Sequence, residues 1–169
     1  MSGSLLVVHC GLPGVGKSTV SAYTSSRIGA ERYRNDEVRK ELFPDPAYTA
    51  EETRETYEVL LGRARTTLEA GRDVVVDATF TERRERDRAA TAAATAGADI
   101  EFVHVTCRPT VARERIRTRA DDPSDADLAV YEQLREAFEP LERDHVTIDN
   151  SGSRADTRRQ VDERVLDSI

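Results

Sequence analysis

Residues 5–19 read LLVVHCGLPGVGKST, a short apolar run that breaks into glycines and ends on Gly16-Lys17-Ser18-Thr19. The run is too short for a membrane helix and is rich in β-formers, which suits a strand buried on both faces. The residues after Lys17 have helical character. A buried strand, a glycine-rich turn and a helix in that order set the frame for the rest of the chain.

The turn fits G-x-x-x-x-G-K-[ST] at Gly11, Gly16, Lys17 and Ser18. Such a loop wraps a dense negative charge with inward-pointing backbone N–H groups, and glycine lets the backbone approach without a Cβ in the way. Gly11, Pro13, Gly14, Val15, Gly16, Lys17, Ser18 and Thr19 are therefore the expected nucleotide-binding residues. Lys17 is expected on the β- and γ-phosphates, Ser18 on Mg²⁺ and Thr19 on the α-phosphate of ATP or GTP.

Downstream, short β-rich runs alternate with helical segments, the pattern of a parallel α/β sheet. Strands are expected near 4–10, 31–34, 73–77, 100–106 and 145–149, and helices near 17–28, 36–43, 50–70, 82–96, 110–120, 125–139 and 154–167. Two helical stripes, Tyr57/Leu60/Leu61/Ala64/Leu68 and Leu128/Tyr131/Leu134/Phe138, are read as core faces. No linker or internal repeat interrupts the pattern, so residues 1–169 are read as one domain.

Composition narrows the classes. The 169 residues are 38% hydrophobic and 34% charged, as in a folded soluble domain. No apolar stretch approaches the ~20 residues of a membrane span, and no secretion signal is read at the start, so a cytoplasmic location is expected. The net charge is −7, and all but Lys17 and Lys40 of the 25 basic residues are arginine. That balance fits a salt-rich cytoplasm, although high-GC codon usage produces the same substitution. The acidity disfavours broad binding of nucleic acid without excluding a local basic groove. Cys10 and Cys107 stand alone, without the spacing of a zinc site.

A phosphate loop leaves the reaction open. The chain has no N-K-x-D element for guanine recognition, and Asp77 at the end of the strand VVVD is followed by Ala78 rather than by a second acid. Transfer to an acceptor is then favoured over hydrolysis coupled to motion. Asp36, in NDEVRK, is placed at the carboxyl end of the second strand, where a carboxylate orients and deprotonates an acceptor hydroxyl. Arg39 lies near it for acceptor or γ-phosphate oxygens. The competing reading makes Asp36 a helix cap and Arg39 a surface charge. Asp77 is a candidate Mg²⁺ ligand with Ser18, or a cap of the next helix. The run TVARERIRTR puts Arg115 and Arg119 on one helical face and Arg113 and Arg117 on another. A lid that neutralises the transferring phosphoryl group and a solvated, ion-paired helix both fit it.

Taken in order, GLPGVGKST, NDEVRK, VVVDATFTERRERDRAATAAATAGADIEFVHVTC and RPTVARERIRTR resemble the small P-loop kinases of the AAA-type predicted kinase group. Within it the chain is similar to the kinase domain of polynucleotide 5′-hydroxyl kinases, and more distantly to zeta-toxin and chloramphenicol phosphotransferase kinases. The resemblance implies a five-strand parallel sheet in the order 2-3-1-4-5 with helices on both faces. It implies Lys17 and Ser18 on phosphates and magnesium, Asp36 as general base, Arg39 on phosphate near the acceptor, Asp77 near acceptor and metal, and Arg115 and Arg119 as lid arginines. It also makes the first and fourth strands neighbours, bringing Cys10 and Cys107 near each other. The chain departs from the nucleoside monophosphate kinases in having DATFTERR where they carry a DGFPR-like element. The expected function is an ATP-dependent kinase acting on a hydroxyl acceptor, either a small molecule or a polynucleotide 5′ end. A rival reading is an ATP-hydrolysing switch that works through a protein partner. Residues 43–70 and the TFTERR turn are expected to build the acceptor pocket, and NSGS at 150–153 is a candidate loop beside the base. Neither the acceptor nor the oligomeric state is readable.

Overall fold

The computed structural model describes residues 3–118 and 125–169. The opening run forms β1 (Leu5–Cys10), followed by α1 (Lys17–Ile28), β2 (Glu31–Arg34), α2 (Asn35–Leu42), α3 (Ala50–Glu69), β3 (Val74–Asp77) and α4 (Arg83–Thr95). Then come β4 (Asp99–Thr106), α5 (Pro109–Arg117), α6 (Asp125–Ala137), β5 (Val146–Asp149) and α7 (Arg154–Gln160), which continues through a π-turn at Val161–Val165. All strand pairings are parallel, in the order β2-β3-β1-β4-β5.

β1 lies at the centre because both its faces are apolar. Leu6, Val8 and Cys10 pack on one side with α3 and α4 residues such as Leu60, Ala64 and Ala89. Val7 packs on the other side with Val20, Val105, Val161 and Val165. The α3 stripe is core throughout, from Tyr57 to Leu68. The two cysteines are free: Cys10 joins the first layer, whereas Cys107 packs against the second, so neighbouring strands do not bring their thiols to one face. The α6 stripe divides. Tyr131 is buried with Ala112 and Ile116 of α5, but Leu134 turns to the cleft described below.

The sheet's register aligns the carboxyl ends of the central strands. His9 pairs with Asp77, and Arg34 pairs with the same aspartate from the other side. Gly11 N–H donates to the Thr79 carbonyl (3.2 Å), so the turns after β1 and β3 are tied together.

Arg86 of α4 lies in the charged run TERRERDR, where exposure is the ordinary outcome, yet it is 2% exposed. Its guanidinium donates to four carbonyls: Phe80 (2.9 Å), Thr81 (3.2 Å), Glu139 (2.6 Å) and Pro140 (3.1 Å). It also lies 4.8 Å from the Phe138 ring centroid. This one side chain fastens the loop after β3 to the end of α6. Arg86→Ala strands buried acceptors and is expected to cost about 3–5 kcal/mol, read from the urea midpoint.

Burial sets a pH dependence. His9 is buried beside β3, with Nε2 3.1 Å from Thr24 Oγ1, and desolvation pulls its pKa from 6.5 to about 4 against the opposing pull of Asp77. Burial lowers His104 to about 4 as well, helped by His145 and Arg86. The folded state resists the proton that the unfolded chain accepts. Stability is therefore complete above pH 6.5 and falls on acidification towards pH 4. His9 alone accounts for about 2 kcal/mol by about pH 5. Urea midpoints measured from pH 7.5 down to 5 should decline; a level profile contradicts the assignment.

Candidate active site

The loop between β1 and α1 takes a shape that only glycine allows at two of its positions. Gly14 and Gly16 have φ of 81° and 85°, values that L side chains rarely adopt. A Cβ on Gly14 would come within 3.0 Å of the Ala112 carbonyl and the Ile116 side chain, and one on Gly16 would strike the Asn150 amide. No side chain caps α1, so its first N–H groups remain available at the positive end of the helix dipole. Lys17 is the first residue of that helix and, among the described residues, carries no ion pair. Thr19, beside it, is exposed on the same turn.

Three residues brace the loop from behind. The Asn150 amide donates to the Val15 carbonyl (2.8 Å) and accepts from Thr157 Oγ1 (2.6 Å). Arg115 donates to the same Val15 carbonyl (3.2 Å) and to the Asn150 carbonyl (2.6 Å). The arginine run is thus neither wholly lid nor wholly solvated face. Arg115 grips the phosphate loop, and Arg113 pairs with Glu132 of α6 at 2.6 Å. Arg119 lies outside the described residues.

On the β3 side, Asp77 is 6% exposed and accepts from Ser21 Oγ (2.6 Å), with Arg32 Nη2 at 3.8 Å. Arg32 Nη2 also donates to the Ser18 carbonyl (2.7 Å) and its Nε to Ser21 Oγ (3.0 Å). The expected pair of Ser18 and Asp77 is therefore joined through Ser21 and Arg32, two residues that sequence reading passed over. Ser21 had a signal, since it lies three residues beyond Ser18 on a helix. Asp77 ends its strand facing these groups and does not cap α4, which begins at Arg83. Among the described residues no group of three or more His, Cys, Asp or Glu side chains forms a metal cage. One hydroxyl and one carboxylate are the modest protein share that magnesium takes when phosphates complete its shell.

Across the cleft, Asp36 is the second residue of α2, exposed, and among the described residues without a hydrogen bond or ion pair. It is not the cap: Arg34 holds that position. Arg39, one turn on, is 9% exposed, so it is no surface charge either. Its Nη2 donates to Thr53 Oγ1 (3.1 Å), and its Nη1 lies 3.6 Å from Glu52 with no hydrogen-bond partner. Its guanidinium lies 5.1 Å from the Tyr48 ring centroid. Phe80 N–H donates to the Tyr57 hydroxyl oxygen (2.9 Å), fixing the loop after β3. Tyr48, Thr53 and Asn150 carried no readable signal beyond their positions in the 43–70 and NSGS segments.

Most of the expected site residues among these groups line one cleft of about 1180 Å³. Lys17, Ser18, Asp36, Arg39, Asp77 and Arg115 share it, with the phosphate loop and Asn150 at one end and Arg39 with Tyr48 at the other.

The AAA domain family profile matches residues 6–141, a span that contains the phosphate loop, α2 and the arginine run. The chain belongs to that family. No curated protein matches the sequence significantly. Solved structures share its fold at low identity. An APS kinase from Mycobacterium tuberculosis, in complex with AMPPNP and APS, is 20% identical, with a TM-score of 0.75 over 99% of this chain and 98% of the other. A gluconokinase from Sinorhizobium meliloti is 22% identical, with a TM-score of 0.68 over 94% and 88%. A sugar kinase from Janibacter is 18% identical, with a TM-score of 0.70 over 95% and 91%. The AAA domain fold seen here is thus shared with several kinases. Among the described residues, no helix is long and apolar enough to cross a membrane.

Proposed function

We propose that the protein is an ATP-dependent phosphotransferase that moves the γ-phosphate to the hydroxyl of an acceptor bound between α2 and the loop after β3. The observation that carries this reading is Asp36: a carboxylate that, among the described residues, has no hydrogen bond or ion pair and lines the same cleft as Lys17. A hydrolysing switch needs no such group on the acceptor side. The kinases of like fold support the reading at the level of architecture.

In the proposed step Asp36 accepts the hydroxyl proton as the acceptor oxygen bonds to the γ-phosphorus, and the bond from that phosphorus to the bridging oxygen breaks, leaving ADP. Lys17 and the N–H groups at the start of α1 stabilise the charge on the transferring group. Arg115 acts by holding the Val15 carbonyl and so the shape of the loop. Ser18 and Asp77 would hold Mg²⁺, which when bound neutralises charge on the β- and γ-phosphates. Arg39 serves the acceptor. An acidic surface of net charge −7 favours a small acceptor over a polynucleotide.

The test is ADP release from Mg·ATP, at low and at molar salt, with sugars and nucleosides in one arm and a short 5′-hydroxyl oligonucleotide in the other. Stimulation by a small alcohol is expected. Bound ATP with no acceptor-dependent release in either arm would overturn the proposal in favour of the switch.

A further inference from the structure

The acceptor end of the cleft is built around an unusual tyrosine. Tyr48 is 72% exposed, and its backbone sits at φ 56°, a conformation non-glycine residues seldom adopt. Glu52 holds it there: its carboxylate accepts from Ala47 N (2.8 Å) and Tyr48 N (3.3 Å), while Thr49 caps α3 by accepting from Glu52 N (3.1 Å). The same carboxylate lies 3.6 Å from Arg39 Nη1. One acid thus fixes both the tyrosine's backbone and the arginine beneath its ring.

The consequence is a prepared surface of mixed chemistry. Arg39 covers part of the Tyr48 ring and the rest faces the cleft, where α6 contributes the exposed apolar side chain of Val130. Arg39 Nη1 is buried and, among the described residues, has the Glu52 ion pair at 3.6 Å but no hydrogen bond, so an oxygen anion beside it would complete its shell. A sugar alone would use the donors and offer the ring only its C–H groups, with no flat π-face to stack. An aromatic ring would stack on Tyr48, and an anionic group beside it would meet Arg39.

We infer that Tyr48 and Arg39 form the acceptor subsite, and that the acceptor is a hydroxyl compound carrying a flat aromatic ring beside an anionic group, as a nucleoside monophosphate does. This rests on the phosphotransferase reading, with transfer to a hydroxyl of that compound and not to its phosphate. Tyr48 is a specificity residue and Asp36 keeps the chemistry.

The experiment is calorimetric titration of protein saturated with Mg·AMPPNP, so that the donor site is filled. The probes are nucleoside 5′-monophosphates, adenosine (ring without anion) and ribose 5-phosphate (anion without ring). The monophosphates should bind most tightly. Tyr48→Ala should weaken them about tenfold or more, Tyr48→Phe should restore them, and ribose 5-phosphate should not distinguish wild type from Tyr48→Ala. Equal affinity for ribose 5-phosphate and the monophosphates, indifference of the monophosphates to Tyr48→Ala, or no binding by any probe while AMPPNP binds would each overturn the inference. Monophosphate binding that depends on Tyr48, but with no label moved from γ-labelled ATP, would leave the subsite standing and refute the phosphotransferase reading.

Discussion

Asp36→Asn is expected to lower kcat about 10²- to 10⁴-fold while leaving ATP affinity unchanged. The substitution keeps the size of the side chain and its place at the start of α2, but removes the proton acceptor. The wild-type carboxylate is exposed and bonded to nothing else among the described residues, so its loss disturbs no internal network. A structural role would show in the melting temperature, and a ground-state binding role in KM. The expected signature is a fall in kcat alone, with an unchanged urea midpoint. Retention of full turnover would remove Asp36 from the mechanism.

Lys17→Ala is expected to cut kcat/KM by about 10³-fold or more, with affinity for Mg·ATP and turnover falling together. Lys17 opens α1 in the cleft wall, where the first N–H groups of the helix have no side-chain cap. Its ammonium adds a full charge to those partial ones, in both the bound state and the transition state. This double loss separates it from Asp36→Asn. Titration with a fluorescent ATP analogue, read beside steady-state kinetics, makes the distinction.

Much of this architecture is legible in the sequence. The LLVVHC run and the three valines before Asp77 read as buried strands because they are short, rich in β-branched residues and bounded by turn signals. Even ERYR reads as a weak strand at 31–34, and it forms β2 at the edge of the sheet. The phosphate loop was legible because its chemistry demands particular residues at fixed spacing. What stayed hidden depends on contacts between distant segments. Arg115 and Val15 are 100 residues apart in the chain, and no pattern near either announces that they meet. Arg86 sits in a charge run, yet it is sealed inside because four carbonyls from two loops converge on it. Leu134 follows the helical period of a core stripe, but α6 leans over the cleft, so that position lines the site. Tyr48 lies in a polar turn with no period at all, and only its packing on Arg39 gives it meaning.

The central claim is that the γ-phosphate leaves ATP for a hydroxyl and not for water. The most direct measurement follows γ-labelled ATP in the presence of Mg²⁺ and the acceptor panel, and determines where the label ends. The account predicts label in a stable organic phosphate ester whose formation is abolished in Lys17→Ala and slowed in Asp36→Asn. Label found only in inorganic phosphate, at a rate no acceptor alters, would contradict it.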